Sequence, residues 1–312
     1  MRTAIVDYNG VNGLLKCTPH VDRHRIEITV LRTLWQNISH IEPFRAQEIL
    51  DTFQTNDGYH CLVLETIRGY SLREYISMIP EYYKDVAISK FATTLSYGIH
   101  LVYKNGFTHG SINPDSIYCQ PNERDGTVEL VLTGFEGSQP LAALPQPSIV
   151  KPIGYTPPED YVKSKVDQRL RDTWMFGATL YFMTNGHPPY GFAYSENHKA
   201  MLPVSAEELQ QTMEQVAKTG NNTYPPLKTK NAALAQEIER LLEPKPEHRY
   251  YVDSIAFLGS FDDFGYITMG SYLWELWDYL KSKLPIIGKP SWLVEPPLHS
   301  HVEDTSTRYK NP

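Results

Sequence analysis

Residues 107–119 read FTHGSINPDSIYC, and the fold turns on this stretch. A long helical pattern, residues 85–104, runs up to it, and a short strand candidate, Ser116–Cys119, closes it. A second strand candidate, Val128–Leu132, follows across the polar loop Gln120–Gly126. Further out, helical patterns recur at about 71–78, 168–185, 205–218 and 230–242. Before residue 69 the chain reads mostly as strand. Thr3–Tyr8 and Gly13–Cys17 flank Asn9-Gly10 and Asn12-Gly13, dipeptides that favour tight hairpin turns. Gln47–Gln54 and His60–Glu65 flank a second turn, Thr55–Gly58. Between these hairpins, residues 22–35 set Ile26, Val30 and Leu34, and Ile28, Leu31 and Trp35, at helical spacings. The order predicts an α+β protein of two lobes, a small sheet-rich one and a larger helical one.

Composition narrows the function. The 312 residues carry 29 Lys+Arg against 36 Asp+Glu, a net charge of −7. That balance argues against a surface built to neutralise nucleic-acid phosphates. The first residues, MRTAIVDYNG, lack an apolar signal core, and no run approaches the roughly 18 apolar residues of a membrane span. An intracellular protein, cytoplasmic or nuclear, is therefore expected, and the Asn-x-Ser/Thr matches at Asn37 and Asn221 are read as chance. Cys17, Cys61 and Cys119 lie far apart with no C-x-x-C pair, so they read as thiols rather than as a disulfide framework or zinc site. Of the 23 prolines, many fall within 140–158 and 285–312, which excludes long helices and central strands there.

The stretch 107–119 resembles the catalytic loop of protein kinases, and its neighbours come in the order of that family. LVLETIRGYSLREYI at 62–76 is similar to the hinge and the helix after it. LVLTGFEGS at 130–138 stands where the family has its metal-binding Asp-Phe-Gly, and GYTPPED at 154–160 where it has Ala-Pro-Glu. RDTWMFGATLYFMTNGHPPYG at 171–191 resembles the long central helix and its Pro-Pro ending, and LLEPKPEHRY at 241–250 the segment that pairs with Ala-Pro-Glu. The resemblance covers about residues 3–259. It implies a protein-kinase-like fold: a truncated N-lobe over 1–68, a helical C-lobe over 69–259, an aromatic helix over 260–284 and a proline-rich tail over 285–312. By the same resemblance Glu159 and Arg249 match a buried ion pair, Asp172 matches the residue that holds the catalytic loop, and Leu31, His109 and Phe135 match members of the column joining the lobes.

The chemical positions depart from the family. Phosphoryl transfer rests on positioning and charge neutralisation around phosphates and metal. Ser111 stands where the resemblance places an Asp, Asn113 where it places a Lys, Ser116 where it places the metal-binding Asn, and Gly134 where it places the Asp of Asp-Phe-Gly. A hydroxyl without a neighbouring base cannot take a proton at neutral pH, and Mg²⁺ wants hard oxygen ligands. Glu136 and Asp115 are the carboxylates near enough in sequence to substitute. Lys16 matches the third-strand lysine and Glu27 its helix partner, but few residues precede Lys16, too few for the family's first strand and glycine-rich loop. Leu14 and Tyr118 add bulk above and below the adenine slot. Gly110 replaces the phosphate-receiving Arg, leaving Ser138, Ser148, Tyr155 and Thr156 as modification candidates without an identified cation.

These departures imply a pseudokinase: not an enzyme, without metal or required cofactor, ATP binding alone remaining open, and serving as a scaffold or allosteric regulator. The partner implied is a protein, such as an active kinase or a multiprotein assembly. An atypical ATP-dependent kinase using Lys16, Glu27 and Glu136 is the alternative. In the segment SYLWELWDYLKSKL, residues 271–284, Trp274 and Trp277 read either as core or as anchors for a partner, and Trp292 as a further contact candidate.

Overall fold

The computed structural model describes residues 2–38, 44–121, 128–144, 150–162 and 164–252. Strands β1 (Arg2–Tyr8) and β2 (Val11–Thr18) form a hairpin around Asn9-Gly10, where the Gly10 N–H donates to Asp7 Oδ1 at 2.8 Å. Helix α1 (Val21–Ile38) follows, then β3 (Phe44–Ala46), β4 (Ile49–Gln54) and β5 (His60–Glu65). The first sheet has the order β1-β2-β5-β4 and is antiparallel throughout. Because strand side chains alternate between faces, Leu14, Lys16, Leu62 and Leu64 share one face, and Glu27 of α1 meets Lys16 there.

Strand β3 is absent from the reading of the sequence. Its three residues are too few to show a period, yet all are buried, and they pair in parallel with a strand of the larger lobe. That second sheet has the order β3-β8-β7-β6, from β6 (Tyr70–Ser71), β7 (Ile117–Pro121) and β8 (Val128–Leu132). Arg45, the middle residue of the edge strand β3, donates to Glu129 and Gln120, both at 2.9 Å, and pairs with Glu65 at the end of β5. One residue of the small lobe thus ties the first sheet to the second.

The larger lobe holds α2 (Leu72–Met78), α3 (Lys84–Lys104), α4 (Gln168–Asn185), the hairpin β9 (Phe192–Ser195) and β10 (Ala200–Pro203), α5 (Ala206–Thr219) and α6 (Ala232–Leu241). Helix α2 begins with a reciprocal capping box between Ser71 and Glu74, the arrangement that satisfies orphan N–H groups at a helix start. Helix α4 is buried nearly throughout, most of its polar side chains included. A single core runs from Leu31 and Leu34 through Ile99, Ile112 and Phe135 to Trp174 and Leu241.

The expectation of separate thiols is corrected for two of the three cysteines. Cys17 and Cys61 are direct cross-strand partners on β2 and β5 and form a disulfide, while Cys119 is a buried thiol. The two partners lie 44 residues apart in sequence. Spacing says nothing about strand register, and register alone brings them together. The aromatic segment and tail with Trp274, Trp277 and Trp292 lie outside the described residues, as does Ser148.

Candidate functional site

Between the lobes, β2, α1 and the segment after β8 bring Lys16, Glu27 and Glu136 into one cluster. Lys16 Nζ donates to Glu27 Oε1 at 2.5 Å and to Glu136 Oε2 at 2.8 Å. Lys16 and Glu27 are buried, and Glu136 is only one-fifth exposed. Burial works against a charge on Lys16, yet the two carboxylates hold its ammonium above the ordinary lysine range. Burial, with Glu136 adding to it, raises Glu27 in spite of Lys16, whereas at Glu136 the Lys16 charge and hydrogen bond outweigh burial and keep the carboxyl low. One cation therefore serves two carboxylates, and Glu136 is the more firmly ionised of them.

The position of Glu136 follows from Gly134. Gly134 has φ +76°, the left-handed region that disfavours side chains. A Cβ built there would lie 3.4 Å from Ser116 Cβ and 3.7 Å from Glu136 Oε2. The carboxylate of Glu136 thus reaches the space beside Gly134 from two residues farther on, and Ser116 borders the same space. Asp115 is elsewhere: it forms a two-point pair with Arg73 at 2.7 and 2.8 Å and is more than half exposed.

Several polar groups of residues 107–119 are engaged within that stretch. Asn113 Nδ2 donates to the Ser111 carbonyl at 2.8 Å, and Asn113 Oδ1 accepts from the Asp115 N–H at 2.9 Å. Ser116 Oγ donates to the Asn113 carbonyl at 2.9 Å, and the Ser111 N–H donates to His109 Nδ1 at 3.3 Å. Asp172 at the start of α4 accepts from the N–H groups of His109 and Gly110, each at 2.7 Å. Burial pushes its carboxyl up to about 6, with those two donors opposing. His109 is wholly buried against Phe135, ring centroids 4.5 Å apart, and burial pushes it down to about 4.

Gly110 has a steric cause. At φ +76°, a Cβ on it would lie 2.0 Å from the Gly137 carbonyl oxygen. The loop and the segment after Phe135 touch backbone to backbone, which leaves no room for any side chain. Ser138 and Thr156, candidates for phosphorylation in the sequence, are buried and donate inward to the carbonyls of His109 and Pro152, and Tyr155 is buried as well.

Behind this loop, Arg249 pairs with Glu159 at 2.8 and 3.1 Å and also donates to the carbonyls of Leu170, Glu243 and Pro244. A second buried pair, Arg171 with Asp160 at 2.6 and 2.8 Å, stands beside it. Sequence reasoning missed Arg171, Asp160, Arg73 and Arg45. The signal for Arg171 was an arginine leading into the apolar stretch of a buried helix, a residue that needs a partner.

For a magnesium ion, the donor set does not fit. Ser116 and Gly134 offer no carboxylate, Glu136 is paired with Lys16, and among the described residues no group of three or more His, Cys, Asp or Glu side chains could hold a metal. Nor is there, among the described residues, a helix long and apolar enough to cross a membrane.

A two-lobed α+β fold, with a lysine–glutamate pair between β2 and α1 and a loop held by Asp172, defines a protein-kinase-like chain. The protein kinase domain family matches residues 17–256, and the chain belongs to that family. The MAP kinase-interacting serine/threonine-protein kinase mnk-1 of Caenorhabditis elegans is 22% identical over 229 residues, 67% of this chain and 32% of that protein. Serine/threonine-protein kinase ATG1c of Arabidopsis thaliana is 26% identical over 167 residues, 53% of this chain and 21% of that protein. The chain thus spans about a third or less of these relatives' length. Among solved structures, the PK-1 kinase of Cydia pomonella granulovirus superposes with a TM-score of 0.59 at 14% identity, over 82% of this chain and 89% of that one. These matches correct one expectation: a chain without enzymatic activity is not what they indicate, since the family and the relatives named serine/threonine-protein kinases point to a kinase.

Proposed function

We propose that the chain is a kinase-family regulator whose pocket stands closed on itself, and that it acts in this closed state as a scaffold or allosteric partner of another protein. The observation that carries the reading is the Lys16–Glu27–Glu136 cluster, in which the ammonium suited to a nucleotide phosphate is already paired with two internal carboxylates. A kinase needs its lysine and helix glutamate paired for activity; here that pairing stands with Glu136 in the place an external anion would take. The cluster supplies from within the chain the charge balance that fixes α1 against the sheet. The kinase reaction to which the relatives point then asks first for Glu136 to leave Lys16.

The reading is tested by thermal melting with millimolar ATP, with Mg²⁺, with Mn²⁺ and with EDTA. Anything that binds only the folded state raises the melting temperature. The chain itself is expected to shift little. Glu136→Gln, which frees Lys16 of one carboxylate, is expected to gain a shift that Lys16→Met/Glu136→Gln lacks. Equal shifts in the chain and in Glu136→Gln would overturn the closed-pocket reading.

A further inference from the structure

The disulfide joins two strands of particular consequence. Cys17 follows Lys16 on β2, and Cys61 precedes Leu62, the cross-strand partner of Lys16 on β5. Strand β5 runs on to Glu65, where Arg45 ties it to the second sheet. A covalent bridge therefore spans the strand that carries Lys16 and the strand that leads to the connection between the lobes. Side-chain alternation puts the bridge on the face opposite Lys16, in a row with Arg2 of β1 and Phe53 of β4, both exposed.

The two cysteines differ in exposure. Cys61 is fully buried, while Cys17 is only half-buried. An incoming thiolate attacks the sulfur it can reach, which here is Cys17. Ladder pairs on both sides, Lys16 with Leu62 and Thr18 with His60, hold the two residues opposite each other without the bridge. Two thiols so held stay neighbours after reduction, which favours closing the bridge again.

From this geometry we propose that Cys17–Cys61 is a reversible redox site that sets how tightly the Lys16 strand is fastened to β5. A dithiol reductant supplies the electrons. Its first thiolate forms a mixed disulfide with Cys17 Sγ as the S–S bond breaks, and Cys61 leaves as a thiolate that takes a proton. The second thiolate of the reductant then attacks the mixed disulfide, releasing Cys17 as thiolate, which is protonated in turn. The reductant ends as a disulfide, its two protons on the cysteines. The oxidised chain has β2 stapled to β5; the reduced chain keeps the register but opens locally more often. This inference stands apart from the closed-pocket reading, since its readouts are thiol state and amide exchange.

The experiment treats the whole chain with dithiothreitol under native conditions, traps thiols with N-ethylmaleimide and locates them by mass spectrometry. Buried Cys119, whose thiol burial holds unreactive, serves as the control for unfolding. Before treatment, Cys17 and Cys61 are expected unlabelled; after it, both are labelled, Cys119 is not, and replacing the reductant with glutathione disulfide, which accepts the two electrons, restores the bridge. Hydrogen exchange at Leu15–Thr18 and Cys61–Val63 is expected to quicken by about tenfold on reduction, and Cys17→Ala/Cys61→Ala to match the reduced chain. The reduced wild-type chain supplies the same comparison should that variant not fold. Free thiols at 17 and 61 before treatment, reduction only in denaturant, or unchanged exchange in both strands would each overturn the proposal.

Discussion

Replacing Lys16 with Met removes the one cation from the cluster and keeps most of the side-chain volume. Two carboxylates, both largely buried, then share a space built around an ammonium. At about 3 Å and an effective dielectric near 20, each lysine–carboxylate pairing is worth about 5–6 kcal/mol of attraction before desolvation. Most of that offsets the cost of burying the ions, and breaking a buried pair by removing one partner costs about 3–5 kcal/mol. Lys16→Met is therefore expected to lose about 3–5 kcal/mol at pH 7. The loss should shrink on acidification, because a carboxyl left without its cation is raised, takes up a proton and ceases to repel its neighbour. Adding Glu136→Gln should recover part of the loss at pH 7, whereas Glu136→Gln alone leaves a one-to-one pair and should lose less than Lys16→Met, about 1.5–3 kcal/mol for the charged hydrogen bond given up. Urea denaturation at pH 7 and pH 5 measures all three. A loss below 1 kcal/mol for Lys16→Met, or the same loss at both pH values, would refute the shared-cation account.

The remaining predictions concern the frame. Arg249→Ala strands Glu159 in the interior and removes the donors to three carbonyls, so a loss of about 3–5 kcal/mol is expected by urea denaturation, with Arg249→Lys falling short of rescue because a point charge cannot serve all these acceptors. His109 has its folded value depressed to about 4 from an ordinary 6.5. Its neutral form is thus fully stabilising above pH 6.5, and stability is lost as pH falls from there toward 4, up to about 3 kcal/mol; the stability difference between the chain and His109→Phe, followed across that window, should show this slope. Gly110→Ala forces a Cβ onto the Gly137 carbonyl at a positive φ, and a loss of about 2–4 kcal/mol is expected, read as a lowered melting temperature.

The features legible in the sequence are those that repeat or stand in fixed order. Helix α4 announced itself by an apolar run beginning at Arg171-Asp172 and ended by Gly186, and the first hairpin by Asn9-Gly10. The two-lobed α+β fold followed from the order of such segments. The missed features depend on register and on distant approach. Strand β3 is three residues long and owes its place to β8 and Arg45. The disulfide needs β2 and β5 aligned to the residue. Gly110 looked like a lost arginine, and only the contact with Gly137 shows the backbone filling that site. For Glu136 the sequence offered proximity to the metal position; the structure assigns its carboxylate to Lys16, and Asp115, equally near in sequence, is turned to Arg73.

Lys16 places a number on how far the pocket is closed. A ligand that needs the ammonium sees only the fraction of molecules in which Glu136 has moved away, and its apparent affinity falls by that fraction. Glu136 gives up a charged hydrogen bond on leaving, worth about 1.5–3 kcal/mol, and regains part of its hydration because it already lies near the surface. A closure of about 1.4–2.8 kcal/mol leaves between one molecule in about ten and one in about a hundred open. Glu136→Gln keeps the side-chain shape and weakens the closure, so its affinity for ATP should exceed that of the chain by about ten- to a hundredfold, measured by calorimetric titration in EDTA. Glu136→Asp, too short to span the same gap, should fall between the two. If Glu136→Gln binds no more tightly than the chain, the carboxylate is not what closes the pocket, and Leu14 and Tyr118 become the groups to test.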